Sequence, residues 1–281
     1  MPELPEVETV VRDLRPQLRG RRITSVQVSG LALRKPWSPG WQTGLVGQKM
    51  LAIQRRGKWI IVRLERGGRF VLHLGMSGQL TVTEAAEPLP NHVHLILGLD
   101  DGTRQLRFRD IRRFGTATLF GDPGELESFF VDSRLGPEPF ELEHSYWRQR
   151  LQQAHRSLKA ILLDQRVVAG VGNIYADEAL FEARLHPAHW GSHLGAAAAD
   201  RLRRAVVTVL RRAIDRRGSS IRDYLGGNGQ RGGYQNEFRV YGRAGKPCPH
   251  CRAPIERIRL AGRSTHYCPH CQPRPRKRRR P

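Results

Sequence analysis

The chain has four cysteines, Cys248, Cys251, Cys268 and Cys271, arranged as two C-x2-C pairs separated by sixteen residues. Thiolate pairs at that spacing suit a tetrahedral zinc ion, with each pair on a tight turn and the intervening ERIRLAGRSTHY forming a hairpin. Two disulfides would use the same residues, but nothing in the sequence points to an oxidising compartment. His250 and His270 sit inside the two steps and are left out of the ligand set, because four sulfurs fill the shell. The opposite end reads MPELPEVETV. Once the initiator is removed, Pro2 presents a secondary amine whose pKa, about 8, leaves a useful fraction unprotonated at neutral pH. Attack on a sugar C1′ would give an iminium that acidifies the C2′ hydrogen, and Glu3 is placed to shuttle that proton. The same two residues also read as a plain helix start.

Two further positions carry chemistry. Lys58, in QRRGKW, follows Arg55 and Arg56, whose like charges would lower its pKa; it reads equally as a solvated lysine on a hairpin. Asn173 follows a Gly-Val-Gly turn and opens a helix, so backbone donors, helix dipole and side-chain amide together make a phosphate grip. A dinucleotide reading of AGVGNIY fails, since Gly170 and Gly172 lack a third glycine and a preceding strand.

These residues need a scaffold, and 281 residues with 39% hydrophobic content supply one or more ordinary cores. No apolar run approaches a membrane span, and the first thirty residues mix acidic and basic groups, so a cytoplasmic location is expected. The net charge of +22 is concentrated at one end, with 22 Lys and Arg against four Asp and Glu in residues 201 to 281. Such a field favours nucleic acid, bound in a salt-dependent way, over a membrane surface, for which no amphipathic lysine-rich helix is present.

Periodicity predicts a helix over Glu3 to Arg19, built on Leu4, Val7, Val10, Val11, Leu14 and Leu18, with Pro5 in its first turn. Short β-rich runs follow to about Phe120 (ITSVQV, KWIIVRL, RFVLHL, HVHLIL, TATLF), as in an antiparallel sandwich or barrel. Beyond a proline-bearing connection the pattern is helical again in YWRQRLQQAHRSLKAILLD, NIYADEALFEARL and AADRLRRAVVTVLRRAIDRR. It gives way to a polar, glycine-rich stretch from Gly218. The organisation expected is α+β and multidomain: an N-terminal helix and sandwich over residues 1–130, a linker over 131–145, a helical nucleic-acid-binding domain over 146–235, a zinc finger over 238–272 and a basic, disordered tail over 273–281.

In chain order, PELPEVE, QRRGKW, HLGMSG, RDIRRFG, AGVGNIYADEALF, VYGR and the four-cysteine finger resemble the bacterial formamidopyrimidine-DNA glycosylases, from residue 2 to about residue 271. The resemblance implies excision of oxidised purines, chiefly 8-oxoguanine and formamidopyrimidines, from duplex DNA, followed by β,δ-elimination at the abasic site. It also implies a helix-two turns-helix element in the second domain and one structural zinc, and a monomer is the simplest match to an asymmetric lesion. Pro2 matches the family's Schiff-base nucleophile, Glu3 its catalytic acid, and Glu6 a residue supporting the opened sugar or the proton relay. Lys58 matches the lysine beside the lesion phosphate, and Arg263 the finger arginine that grips phosphate and serves the second elimination. Met76, Arg112 and Phe114 resemble the wedge that fills the gap left by a flipped nucleotide, although Ile111 stands where the family usually has proline. Lys159, Asn173 and His92, with His94 as its alternative, match DNA-contacting residues. Ser219 and Ser220 begin a loop like the one that closes over the damaged base, although Gly232, Gly233 and Tyr234 depart from its commoner aromatic pattern. Two other readings are the endonuclease VIII-like branch, disfavoured by Leu4 where that branch has glycine, and a non-catalytic zinc-finger protein, which would leave Pro2, Glu3 and Lys58 without a role.

Overall fold

The computed structural model describes residues 1–221 and 224–274, so the expected tail lies outside it from residue 275. The chain forms two compact units: residues 1–134 with 213–235, and residues 135–212 with the chain from 236 onward.

The first unit opens with α1 (Leu4–Leu18), whose predicted apolar stripe is fully buried at Leu4, Val7, Val10, Val11, Leu14 and Leu18. Pro16 stands inside its last turn, and the helix stops at Arg19, whose N–H donates to the Arg15 carbonyl. Next come β1 (Ile23–Val28), the short α2 (Gly40–Leu45), β2 (Met50–Arg56), β3 (Trp59–Leu64) and β4 (Arg69–His73). They are followed by β5 (Gly78–Glu84), β6 (Val93–Leu99), β7 (Arg104–Asp110), β8 (Thr116–Phe120) and α3 (Pro123–Asp132). The strands make two four-stranded sheets, ordered β1-β6-β7-β5 and β2-β3-β4-β8, antiparallel throughout. This is the sandwich the sequence predicts.

One core joins α1 to the inner faces of both sheets: Ile53, Ile60, Val62, Phe70 and Leu72 from one, Leu80, Leu95, Leu97, Leu106 and Phe108 from the other. Alternation along a strand explains the apolar run WIIV, because Ile60, Val62 and Leu64 face this core while Ile61 packs with Val71 under Leu126 of α3. Strands β2, β5 and β7 carry arginines, glutamine and threonine on their second face, which weakens their signal in the sequence.

The second unit contains α4 (His144–Gln152), α5 (Leu158–Leu163), α6 (Asn173–Glu182) and most of α7 (Ala196–Asp215). The helical run read from Tyr146 to Asp164 is two helices, because Ser157 accepts the Ala160 N–H and starts α5 afresh. The buried Trp147 donates its indole N–H to the Ala199 carbonyl, tying α4 to α7. The hairpin expected between the cysteine pairs is β9 (Glu256–Leu260) and β10 (Arg263–Tyr267), joined by Ala261 and Gly262. Among the described residues no helix is long and apolar enough to cross a membrane.

Candidate active site and nucleic-acid interface

In the first unit the PELPEVE segment is fixed by Glu6. Pro2 is buried at the start of α1, as are Glu3 and Glu6, at 2% and 1% exposure. One carboxylate oxygen of Glu6 accepts the Glu3 N–H at 2.8 Å; the other accepts both the N–H and the hydroxyl of Ser219, at 2.7 and 3.0 Å. The Tyr224 hydroxyl donates to the Glu6 carbonyl at 3.1 Å, and burial, reinforced by the Glu6 charge, pushes that phenol far above its usual pKa. Gly218 turns at φ +72°, and a Cβ there would come within 2.8 Å of the Glu6 carboxylate. Only glycine lets this loop approach so closely.

Lys58 occupies a two-residue turn between β2 and β3, where Arg56 pairs with Trp59. Arg55 anchors that turn: its Nε donates to Glu8 of α1 at 2.9 Å and its guanidinium donates to the Gly57 carbonyl at 3.1 Å. Burial would raise the Glu8 pKa, yet Arg55 and Arg12 hold the carboxyl below the usual carboxylate range. Lys58 itself is 8% exposed, so it is not the solvated hairpin lysine that its sequence also allowed. His73, at the end of β4, accepts the Gly75 N–H on Nδ1 at 3.0 Å. Burial, then the charges of Lys58 and Arg34, lowers its pKa to about 4.

The LGMSG and RRFG loops meet backbone to backbone. A Cβ on Gly75, which sits at φ +59°, would lie 2.5 Å from Phe114 and Gly115 main-chain atoms. Asp110, fully buried, organises the pair: it accepts the Ser77 hydroxyl at 2.6 Å, the Gly115 N–H at 2.7 Å and the Arg112 N–H at 3.3 Å. Through these bonds one buried carboxylate ties both loops together, with Ile111 exposed beside it. Met76 is left half-buried, Arg112 and Phe114 are exposed, and the Arg112 guanidinium lies 4.7 Å from the Phe114 ring centroid. His92 is exposed where β6 begins. The buried His94 instead bonds Ser29 at 2.9 Å and the Asp110 carbonyl at 3.0 Å, so of the two histidines His92 is the one at the surface.

Three side chains expected to face DNA or the lesion are turned inward. Ser219 spends both donors on Glu6. Ser220 donates its hydroxyl to the Tyr224 carbonyl, accepts the Gly232 N–H, and gives its own N–H to Gln235. Lys159, in the second unit, has a fully buried side chain whose ammonium donates to Asp177 at 2.6 Å and to the Asn173 carbonyl at 2.8 Å. A lysine on α5 beneath the first turn of α6 is paired there because an unpaired buried ammonium is too costly.

Asn173 opens α6 half-buried and donates its amide to the Ser264 carbonyl at 3.1 Å. Arg263, exposed, is the first residue of β10. Glu178, on the same helix, accepts the backbone N–H groups of Arg239, Val240 and Tyr241 at 2.8 to 3.2 Å. Burial raises its pKa; the three N–H groups oppose that rise. The VYGR segment is thereby pinned to α6.

Known proteins match this chain over most of its length. Family models describe residues 1–117 as the formamidopyrimidine-DNA glycosylase N-terminal domain, 135–224 as its H2TH domain and 245–274 as a zinc finger found in FPG and IleRS. The formamidopyrimidine-DNA glycosylase of Desulforamulus reducens is 43% identical over 93% of this chain and 95% of its own; that of Symbiobacterium thermophilum is 45% identical over 98% and 90%. The chain belongs to the formamidopyrimidine-DNA glycosylase family. Among solved structures, the Lactococcus lactis Fpg in complex with DNA containing an abasic site superposes with a TM-score of 0.89 at 35% identity, covering 97% of this chain and 100% of that one. A mutant of the same protein bound to DNA containing Fapy-dG gives a TM-score of 0.91 at the same identity and coverage.

Within this glycosylase fold the four cysteine sulfurs lie within 4.8 Å of one another, with Cys248 to Cys271 at 3.9 Å and Cys251 to Cys268 at 3.4 Å. Bonds of about 2.3 Å to one tetrahedral zinc place sulfurs about 3.8 Å apart, so the set fits a single structural zinc. Burial and the three neighbouring sulfurs push the Cys271 thiol well above its ordinary pKa, which is the penalty a dication removes when it binds. Sequence reading found the ligands and the residues at the loop tips. It missed Asp110, Glu8 with Arg55, Asp177 and Glu178, the groups that hold them. Only Asp110 left a local signal, an aspartate closing a strand just before a loop.

Proposed function

We propose that this protein is a bifunctional base excision repair enzyme that releases oxidised purines from duplex DNA and then cleaves the abasic strand. The observation that carries the reading is the buried Pro2–Glu3 terminus braced by Glu6, in a chain that aligns with formamidopyrimidine-DNA glycosylases over nearly its full length. After loss of Met1, the Pro2 nitrogen attacks C1′ of the flipped nucleotide; the N–C1′ bond forms, the glycosidic bond breaks, and a proton supplied through Glu3 accompanies opening of the sugar to the iminium. Loss of the C2′ proton expels the 3′ phosphate, and a second elimination expels the 5′ phosphate. Lys58 sits beside the phosphate at the lesion, Arg263 grips phosphate through its fork of donors in the second step, and Asn173 holds the backbone. Met76, Arg112 and Phe114 fill the space the nucleotide leaves. Zinc, held by Cys248, Cys251, Cys268 and Cys271, cross-links the finger. The enzyme works as a monomer in the bacterial cytoplasm, at the nucleoid.

Borohydride reduction in the presence of an 8-oxoguanine duplex tests this reading. Protein lacking Met1 is expected to give a covalent adduct in which peptide mapping places the sugar remnant on the Pro2 nitrogen. An adduct mapped to another residue would move the nucleophile elsewhere, and faster release of thymine glycol than of 8-oxoguanine would assign the enzyme to the oxidised-pyrimidine branch.

A further inference from the structure

Lys159, Asp177 and His266 form a buried chain of polar groups that the chemistry above does not use. The side chains of Lys159 and Asp177 have no exposed surface, and His266 is 8% exposed. Asp177 receives the Lys159 ammonium on one oxygen at 2.6 Å; its other oxygen accepts the His266 backbone N–H at 2.9 Å and the ring Nδ1–H at 3.1 Å. A second contact to the same strand is made one turn earlier on the helix, because Asn173, whose carbonyl also receives Lys159, donates to Ser264. Strand β10 is thus bolted to α6 at two alternate residues, 264 and 266, and the residue ahead of the first bolt is Arg263.

A buried ion pair is a poor source of net stability, since desolvation consumes most of the Coulombic gain. A two-stranded hairpin is also marginal by itself. Fixed geometry is what this chain of bonds supplies. We infer that Lys159, Asp177 and His266 act as a positioning relay that sets where Arg263 presents its guanidinium to phosphate. This rests on the role proposed above for Arg263, and it gives the inward-facing Lys159 a task other than touching DNA.

The test uses full-length, zinc-loaded protein. His266→Leu removes the ring donor while leaving the backbone bond to Asp177, and His266→Asn returns a donor near the Nδ1 position. Both should bind one zinc and form the borohydride adduct on an 8-oxoguanine duplex to within about twofold of wild type, because Pro2 attack does not pass through the finger. On a preformed abasic duplex, the ratio of second to first elimination product should fall about tenfold in His266→Leu, the scale of a small misplacement of a working group, and recover in His266→Asn. Placed on Arg263→Ala, the leucine change should add no more than about twofold, since a group acting through Arg263 has nothing left to position. Should His266→Leu lose zinc, Asp177→Asn is read in its place with the same expectations. The relay is wrong if the zinc-loaded variant keeps the wild-type ratio, if asparagine fails to rescue it, or if its effect adds fully to that of Arg263→Ala. A wild-type protein that gives no adduct overturns the proposed function itself, a result distinct from each of these.

Discussion

His73 shows how much one neutral ring can carry. Its Nδ1 accepts the Gly75 N–H at 3.0 Å, so the ring must be unprotonated there. Burial and the nearby Lys58 and Arg34 enforce this by lowering its pKa to about 4 from 6.5. The unfolded chain takes up this proton below about 6.5, whereas the folded chain does so only near about 4. The stabilising contribution is therefore complete above the first value and is lost as pH falls toward the second. A protonated ring also turns a donor toward the Gly75 N–H and loosens the turn that carries Met76. His73→Asn keeps a neutral acceptor at every pH. Urea denaturation midpoints should therefore fall less steeply across this interval in the variant than in the wild type; parallel curves would remove His73 as the cause. His186, whose pKa burial also lowers to about 4, contributes equally to both proteins. At this scale the sequence displays the cysteines because their chemistry is legible from type and spacing, whereas Pro2 and Glu3 also read as a plain helix start and stand out through the family resemblance of PELPEVE. Asp177 is silent because its partner His266 stands 89 residues away, and Asp110, whose partner Ser77 is 33 residues away, shows only as an aspartate ahead of a loop.

Elements were legible where one face is buried and the other is not. The α1 stripe and the strands ITSVQV and TATLF follow from periodicity, and the β9–β10 hairpin from the spacing of the two cysteine pairs. The break between α4 and α5 depends on a single serine cap, and α3 was hidden in what reads as a polar connection; its role is to cover Ile61 and Val71 on the outer face of β3 and β4. The finger is an element that depends on metal. Its small core, Val240, Cys248, Ile255 and Cys268 against Phe181 of α6, is too few residues to hold four thiols in register without a cation. Complete chelation should release one zinc per chain, expose the β10 amides to hydrogen exchange and abolish strand cleavage, while the amides of β3 and β4 in the sandwich stay protected. Retention of full cleavage in metal-free protein would refute the structural-zinc account.

At the scale of the whole molecule the dominant quantity is charge. Forty-eight Lys and Arg against 26 Asp and Glu leave +22, and part of the basic set is already committed inside the units: Arg55 to Glu8, Arg217 to Asp13, Arg239 to Glu182, Lys159 to Asp177. What the fold does not consume is available to phosphate. A protein that neutralises six to ten phosphates loses roughly 10³ to 10⁵ in affinity between about 50 and about 200 mM salt, so binding to undamaged duplex should be steep in salt. Residues 275–281 hold five of the basic groups in the sequence PRKRRRP. Deleting that segment should weaken binding to undamaged duplex and flatten the plot of log affinity against log salt, each lost phosphate contact taking about one unit from the slope. Adduct formation on an 8-oxoguanine duplex should be unchanged, because the residues proposed to attack, protonate and wedge all lie in residues 2–263. A truncated protein with an unaltered salt slope would show that the segment contributes no phosphate contacts. One that can no longer be trapped would place part of the catalytic machinery in the tail.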